Sequence, residues 1–218
     1  SETLVRLRAF DRDAGQVVTI EREACGFAYR SSVFRGSERF VILDVTFALP
    51  RATESGPIRY AELARALGVA EGERAPLARV RETIVELRRK KGMVLDPADA
   101  DTRSAGSFFT NPILSADELE RLRRKLGELA PKLPVFPEAD GRSKVSAAWL
   151  IERAGFVKGY ALEGGRVAVS SKHSLSLTNR GGATTAELVA LARAIRGGVL
   201  ERFGVRLENE PVFVGLRL

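Results

Sequence analysis

Apolar and polar residues alternate at the start of the chain, over residues 4–10 and again over 16–20. Asp13-Ala14-Gly15 supplies the turn signal between the two runs, so the pattern predicts a strand hairpin. Residues 39–49 (RFVILDVTFAL) alternate once more, with Val41, Leu43, Val45 and Phe47 on one face, until Pro50 and Ser55-Gly56-Pro57 break the pattern. The period then lengthens. A short helix is predicted over 60–67, and a longer one over 75–91 with Leu77, Val80, Ile84 and Leu87 in one stripe. Arg88, Arg89, Lys90 and Lys91 close it, where cations suit the negative end of the helix dipole.

Residues 92–114 read as loop. Ser115 and Glu118 form a capping-box pattern that opens a helix with Leu119, Leu122, Leu126 and Leu129 on one face. Residues 131–142 are rich in Pro and Gly and read as loop, and 145–154 as helix. Residues 167–170 and 175–179 read as a strand pair. Thr184 and Glu187 form a second capping box, for a helix that turns Leu188, Leu191, Ile195 and Val199 inward. Residues 205–218 read as a terminal strand region interrupted by Pro211. Strands, then helices, then strands with a helix make an α+β chain and not a βαβ series, with a boundary expected near residue 90.

Composition narrows the class. At 44% hydrophobic and 29% charged over 218 residues, the chain has the balance of a folded, water-soluble protein. No apolar run approaches the roughly 20 residues of a membrane helix. Residues 1–10 lack the apolar core and cleavage site of a signal peptide, so a cytoplasmic location is expected. A single Cys (Cys25) and a single His (His173) leave no disulfide framework and no Cys/His zinc site. Cys25 reads as a small buried hydrophobe. The formal charge of +7 invites an anionic partner. One candidate class is therefore a basic, non-catalytic polyanion-binding module. Aromatics are only 7%, however, and no nucleic-acid motif is visible, so nucleic acid is not an expected partner. There is no dinucleotide or Walker glycine motif.

Three segments are more particular than core or surface requires: Phe27-Ala28-Tyr29-Arg30-Ser31-Ser32-Val33-Phe34; Lys91-Gly92-Met93 with the nearby Ser104-Ala105-Gly106-Ser107-Phe108-Phe109-Thr110-Asn111-Pro112; and Leu207-Glu208-Asn209-Glu210. Taken alone, the second is a turn anchored by two aromatics, with Gly106 giving backbone freedom. It suits either a ligand contact or a well-capped structural turn.

Together with Pro137-Glu138-Ala139-Asp140-Gly141, Lys144-Val145-Ser146-Ala147-Ala148-Trp149, Ala154-Gly155-Phe156-Val157-Lys158-Gly159 and Phe203-Gly204-Val205, these segments resemble UDP-N-acetylenolpyruvoylglucosamine reductase, a flavoenzyme family. The resemblance runs over essentially the whole chain. It includes Tyr60 in the position of the subtype whose mobile loop closes a tyrosine over the substrate. Family members begin with a flavin-binding region bearing glycine-rich turns, and nothing in this sequence matches that region. The resemblance therefore implies residues 1–90 as the second, incomplete part of an FAD-binding domain built on an antiparallel sheet. It implies 91–218 as an α+β C-terminal substrate-binding domain, with the N-terminal flavin-binding segment as a partner.

The implied activity is reduction of the enol ether of UDP-N-acetylglucosamine enolpyruvate by NADPH through FAD, giving UDP-N-acetylmuramate for peptidoglycan. By motif match, Ser107 would protonate C2, Arg30 would face the substrate carboxylate, and Glu210 would lie near the enolate. Lys91 and Asn111 would bind the diphosphate under Tyr60, and His173 would lie near the UDP moiety. Tyr29 would line the flavin-facing wall. Arg88 matches a recurring basic position but equally suits a helix terminus.

Overall fold

The first predicted hairpin forms. In a computed structural model describing residues 2–218, β1 (Leu4–Asp11) pairs antiparallel with both β2 (Gln16–Glu21) and β3 (Phe40–Phe47), in the order β2-β1-β3. Asp11 closes β1. Its carboxylate accepts from the amides of Asp13 and Ala14 in the turn and from two nitrogens of Arg39 at 3.0 and 2.7 Å. The Arg39 hydrogen bonds hold the Asp11 carboxyl below its usual range. These elements belong to one compact unit, which runs to Pro57 and takes in Arg74–Leu77.

The core of this unit is small: Leu4, Leu7 and Ala9 from β1 pack with Cys25. Burial pushes the Cys25 thiol up, so it is an inert hydrophobe. The single face predicted for β3 does not form: the register with β1 shifts between Arg8 and Ala9, so Leu43 has no partner, Ile42, Val45 and Phe47 stand opposite Ala9, Leu7 and Leu4, and Val41 stands opposite Phe10. Val41, Ile42, Leu43, Val45 and Phe47 are all exposed.

The second unit holds Ile58–Glu73 and Ala78–Leu218. Tyr60 is the residue before α1 (Ala61–Leu67), and α2 (Leu77–Lys90) belongs here from Ala78 on. Both predicted capping boxes are present. Ser115 and Glu118 start α3 (Ala116–Leu126), and Thr184 and Glu187 start α5 (Thr185–Phe203). Between them lies α4 (Ala147–Arg153), capped by Ser146.

Two small antiparallel sheets complete the unit. β4 (Ser104–Ser107), β9 (Ser176–Asn179) and β8 (Val167–Val169) form one, in the order β4-β9-β8. β5 (Ile113–Leu114), β7 (Ser143–Val145) and β6 (Val135–Pro137) form the other, in the order β5-β7-β6. Thus the stretches read as loop, 92–114 and 131–142, carry short strands. The terminal strand region does not form. Pro211 has no amide to give a ladder, and residues 205–218 contribute only an isolated bridge from Asn209 to Phe109.

One core joins α3, α4 and α5 to the strands. Leu119, Leu122, Val145, Leu150, Ile151, Val169, Leu191, Ile195 and Val199 are all buried in it. Gly198 lets α5 approach Phe156: a Cβ there would stand 2.6 Å from the ring. Fold class is α+β throughout. Among the described residues no helix is long and apolar enough to cross a membrane.

Candidate active site

Ser107 ends β4, directly after a bulge. Pairing with β9 shifts register between Ser104 and Ser107, where Gly106 takes φ +79°, a conformation side chains disfavour. Downstream, Phe108 and Phe109 are both buried, with rings 5.1 Å apart and edge to face. They nail the turn to the core. The backbone on either side is also committed. The Phe108 amide donates to Leu175 O, the Thr110 amide to Glu208 O, and the Glu210 amide to Phe108 O at 2.8 Å. Segment 108–110 is therefore held between the β9 approach and residues 208–210, which sets the backbone of Glu210 against that of Phe108, next to Ser107.

Across from Ser107 stands His173, whose Nε2 lies 3.5 Å from the serine Oγ. The imidazole is half-buried, and burial first, then the charges of Lys91 and Lys158, hold it below the usual histidine range. It is neutral near pH 7. Lys158 was quoted in the sequence only as part of the turn after α4. Its nearness to His173 comes from tertiary structure that no spacing in the chain announces.

The turn that carries His173 is anchored from behind. Asp101 is buried, and its carboxylate accepts from the amide and hydroxyl of Ser171 and from Arg180 at 3.3 Å. Burial opposes its charge, but the hydrogen bonds from Ser171 and Ser170 and the charge of Arg180 outweigh that and hold the carboxyl below its usual range. Lys172 pairs with Asp99 on the same 3-10 turn as Asp101. Sequence reasoning passed over both aspartates as loop signals.

The other predicted residues fall as follows. Lys91, one residue past α2, pairs with Glu62 of α1, two residues after Tyr60; Tyr60 is 77% exposed. Asn111 uses its Oδ1 to accept from the Ala147 amide at 3.0 Å, so half of its amide group caps α4. The Arg88 carbonyl accepts from the amides of Lys91 and Met93 at the end of α2. Tyr29 and Arg30 lie in the first unit. They are the two central residues of a tight turn in which Ala28 and Ser31 exchange backbone hydrogen bonds of 3.1 and 3.2 Å. Arg30 has φ +52°, and no other non-glycine residue among those described has positive φ. This tight turn calls for positive φ at the second of its two central residues, a conformation that costs an arginine more than a glycine.

Adjacent glycines join a strand to a helix at Gly181-Gly182, between β9 and α5. Three of the amides of that turn are already taken. Asn179 Oδ1 accepts from Gly181 and Ala183, and Glu187 puts a carboxylate on the Thr184 amide. These residues do not fit a cofactor pyrophosphate.

Fold and side chains together define an α+β domain that sets a hydroxyl beside a neutral imidazole within the field of two ammonium groups. A model of the C-terminal domain of UDP-N-acetylenolpyruvoylglucosamine reductase matches residues 96–214, and the chain belongs to that family. The chain is 58% identical over 221 residues to the UDP-N-acetylenolpyruvoylglucosamine reductase of Thermobifida fusca, covering 100% of this chain and 62% of that protein. Against the reductase of Salinispora arenicola it is 52% identical, covering 100% and 60%. The chain thus spans less than two thirds of the length of these relatives. The crystal structure of the Thermus caldophilus reductase matches 95% of this chain and 52% of its own at 20% identity and a TM-score of 0.49, too slight a likeness to bear on the site.

Proposed function

We propose that the protein containing this chain reduces UDP-N-acetylglucosamine enolpyruvate to UDP-N-acetylmuramate, with NADPH and FAD, as a cytoplasmic step of peptidoglycan precursor synthesis. In this reading residues 1–90 belong to the flavin-binding part and 91–218 to the substrate domain. FAD would supply the hydride, and its pyrophosphate would be held by residues outside this chain, with Tyr29 offered to the flavin. The observation that carries the reading is the setting of Ser107: a hydroxyl on a bulged, doubly anchored strand end, beside His173 and within the field that Lys91 and Lys158 create there.

The chain's own residues then divide the work. Hydride arrival at C3 of the enolpyruvyl group leaves negative charge at C2, delocalised into the carboxylate. Arg30 would grip that carboxylate with its planar fork. Ser107 would give its proton to C2; a serine is a weak acid and serves only a strong base held within reach. Glu210, pinned beside it, would orient the enolate end. Lys91 and Lys158 would neutralise the diphosphate, with Asn111 donating from the free half of its amide and Tyr60 closing over it. His173 would line the same wall. On this reading the Glu62 carboxylate that pairs with Lys91 gives way to the diphosphate.

Ser107→Ala in the full-length flavoprotein tests this directly. Flavin reduction by NADPH should keep its rate, while reoxidation of reduced flavin by the enolpyruvyl substrate falls about 100-fold or more. Equal loss in both half-reactions, or in neither, refutes the proton-donor assignment.

A further inference from the structure

We propose that His173 is a positioning residue that donates its Nε2–H to the Ser107 oxygen, leaving the serine's own proton aimed at the atom it protonates. The inference rests on the reading of Ser107 as proton donor.

A hydroxyl has one proton to give and lone pairs to receive with. The 3.5 Å approach of His173 Nε2 to Ser107 Oγ allows the bond to run either way. If Nε2 were bare, the serine proton would point into the ring and be withheld from any ligand. With Nε2 protonated, the ring fills a lone pair on Oγ and the hydroxyl proton stays available. The same bond also tightens during the reaction. As the Ser107 O–H breaks and the new C–H forms, charge gathers on Oγ, and a neutral hydrogen bond becomes a charge-assisted one. It stabilises the transition state more than the ground state. The alkoxide then regains a proton from water as product leaves, and the imidazole keeps its own throughout.

Three features of the fold serve this role. First, the ring is neutral near pH 7, so the tautomer is a real choice. Second, the ring's mount is rigid. Ser170 Oγ accepts from the amides of Lys172 and His173, the His173 carbonyl accepts from the Ser176 amide, and the buried Asp101 holds Ser171. Asp99 and Asp101 precede β4 by only a few residues, so the histidine and the serine are braced from one stretch of chain. Third, the charged groups felt by the ring are Lys91, past the end of α2, and Lys158, in the turn after α4. Both favour a developing alkoxide.

The tautomer can be read spectroscopically. In full-length, flavin-loaded protein labelled with 15N-histidine, His173→Gln assigns the His173 resonances by their loss. The expected spectrum near neutral pH shows a protonated Nε2 and a bare Nδ1; a bare Nε2 with a protonated Nδ1 overturns the proposal.

Kinetics gives a second readout, on reoxidation of reduced flavin by the enolpyruvyl substrate. His173→Ala should slow it about 10- to 100-fold, and His173→Gln, which keeps an amide donor, should recover part of the loss. In a Ser107→Ala background the histidine substitution should cost nothing further. Equal losses in both backgrounds overturn the inference but spare the proton-donor reading. An unimpaired Ser107→Ala single variant instead removes that reading, and this one with it.

Discussion

The two units of the chain use the same amino-acid vocabulary to opposite ends. The second buries a continuous core of leucines, isoleucines and valines from three helices and two sheets. On it, the backbone at or beside Ser107, His173 and Glu210 is fixed by hydrogen bonds. The first has an apolar cluster of only Leu4, Leu7, Ala9 and Cys25 and leaves a run of β3 apolar side chains in the open, with Arg30 in a strained turn. The proposed proton donor thus lies where packing is dense, whereas the proposed carboxylate grip, Arg30, lies where it is sparse. The thin unit has its strand pattern without the cover that would make the pattern stabilising.

That contrast can be broken or sharpened by substitution. The largest effect belongs to the dense core. Leu150→Ala, at a fully buried position on α4, should cost about 2–5 kcal/mol by denaturant unfolding. Leu43→Ser on the exposed face of β3 should shift stability by no more than about 0.5 kcal/mol while raising solubility. A large loss from Leu43→Ser would show that the face is covered and dissolve the contrast.

Next comes the brace behind the site. Asp101→Asn leaves Arg180 without its partner and weakens the hold on Ser171, and should cost about 2–3 kcal/mol. The native carboxyl titrates lower folded than unfolded. Its contribution is therefore complete above the ordinary carboxylate value of 3.8 and is lost as pH falls through the folded-state value. Unfolding followed between about pH 5 and about pH 2 should accordingly show less acid loss in Asp101→Asn than in the parent.

Gly198→Ala should cost about 1–2 kcal/mol, because the clash with the Phe156 ring exceeds the gain in helix propensity. A gain in thermal midpoint would mean the ring yields freely.

The smallest effect falls in the thin unit, with the sign reversed. Arg30→Gly should stabilise the Tyr29-Arg30 turn by up to about 1 kcal/mol by relieving positive φ. It should also raise the KM for the carboxylate-bearing substrate. Unchanged KM would strip the strained arginine of its assigned role.

What could be read beforehand follows from the range of the signal. Capping boxes and apolar stripes are local, so Ser115/Glu118 and Thr184/Glu187 marked their helices within a residue. β4 to β7 are two to four residues long and exist because other strands pair with them, β4 with β9 and β5 with β7 from about thirty or more positions away. Strands that short carry no period of their own. The terminal region shows the converse: its alternation is real, but Pro211 and the isolated Asn209–Phe109 bridge leave it without a ladder. Of the site, the segments bearing Ser107 and Glu210 stood out as motifs. The brace from Asp101 and the approach of Lys158 did not, because each depends on a partner far along the chain.

The bond from the Glu210 amide to the Phe108 carbonyl carries a consequence for biogenesis. It spans about a hundred positions of chain, so the strand end after Ser107 is fully clamped only after nearly all of the second unit has left the ribosome. During that interval Phe108 and Phe109 lack one of their clamps. Nascent chains in which residue 208 has not yet emerged should recruit chaperones, whereas those in which residue 213 has cleared the exit tunnel should resist protease at this strand.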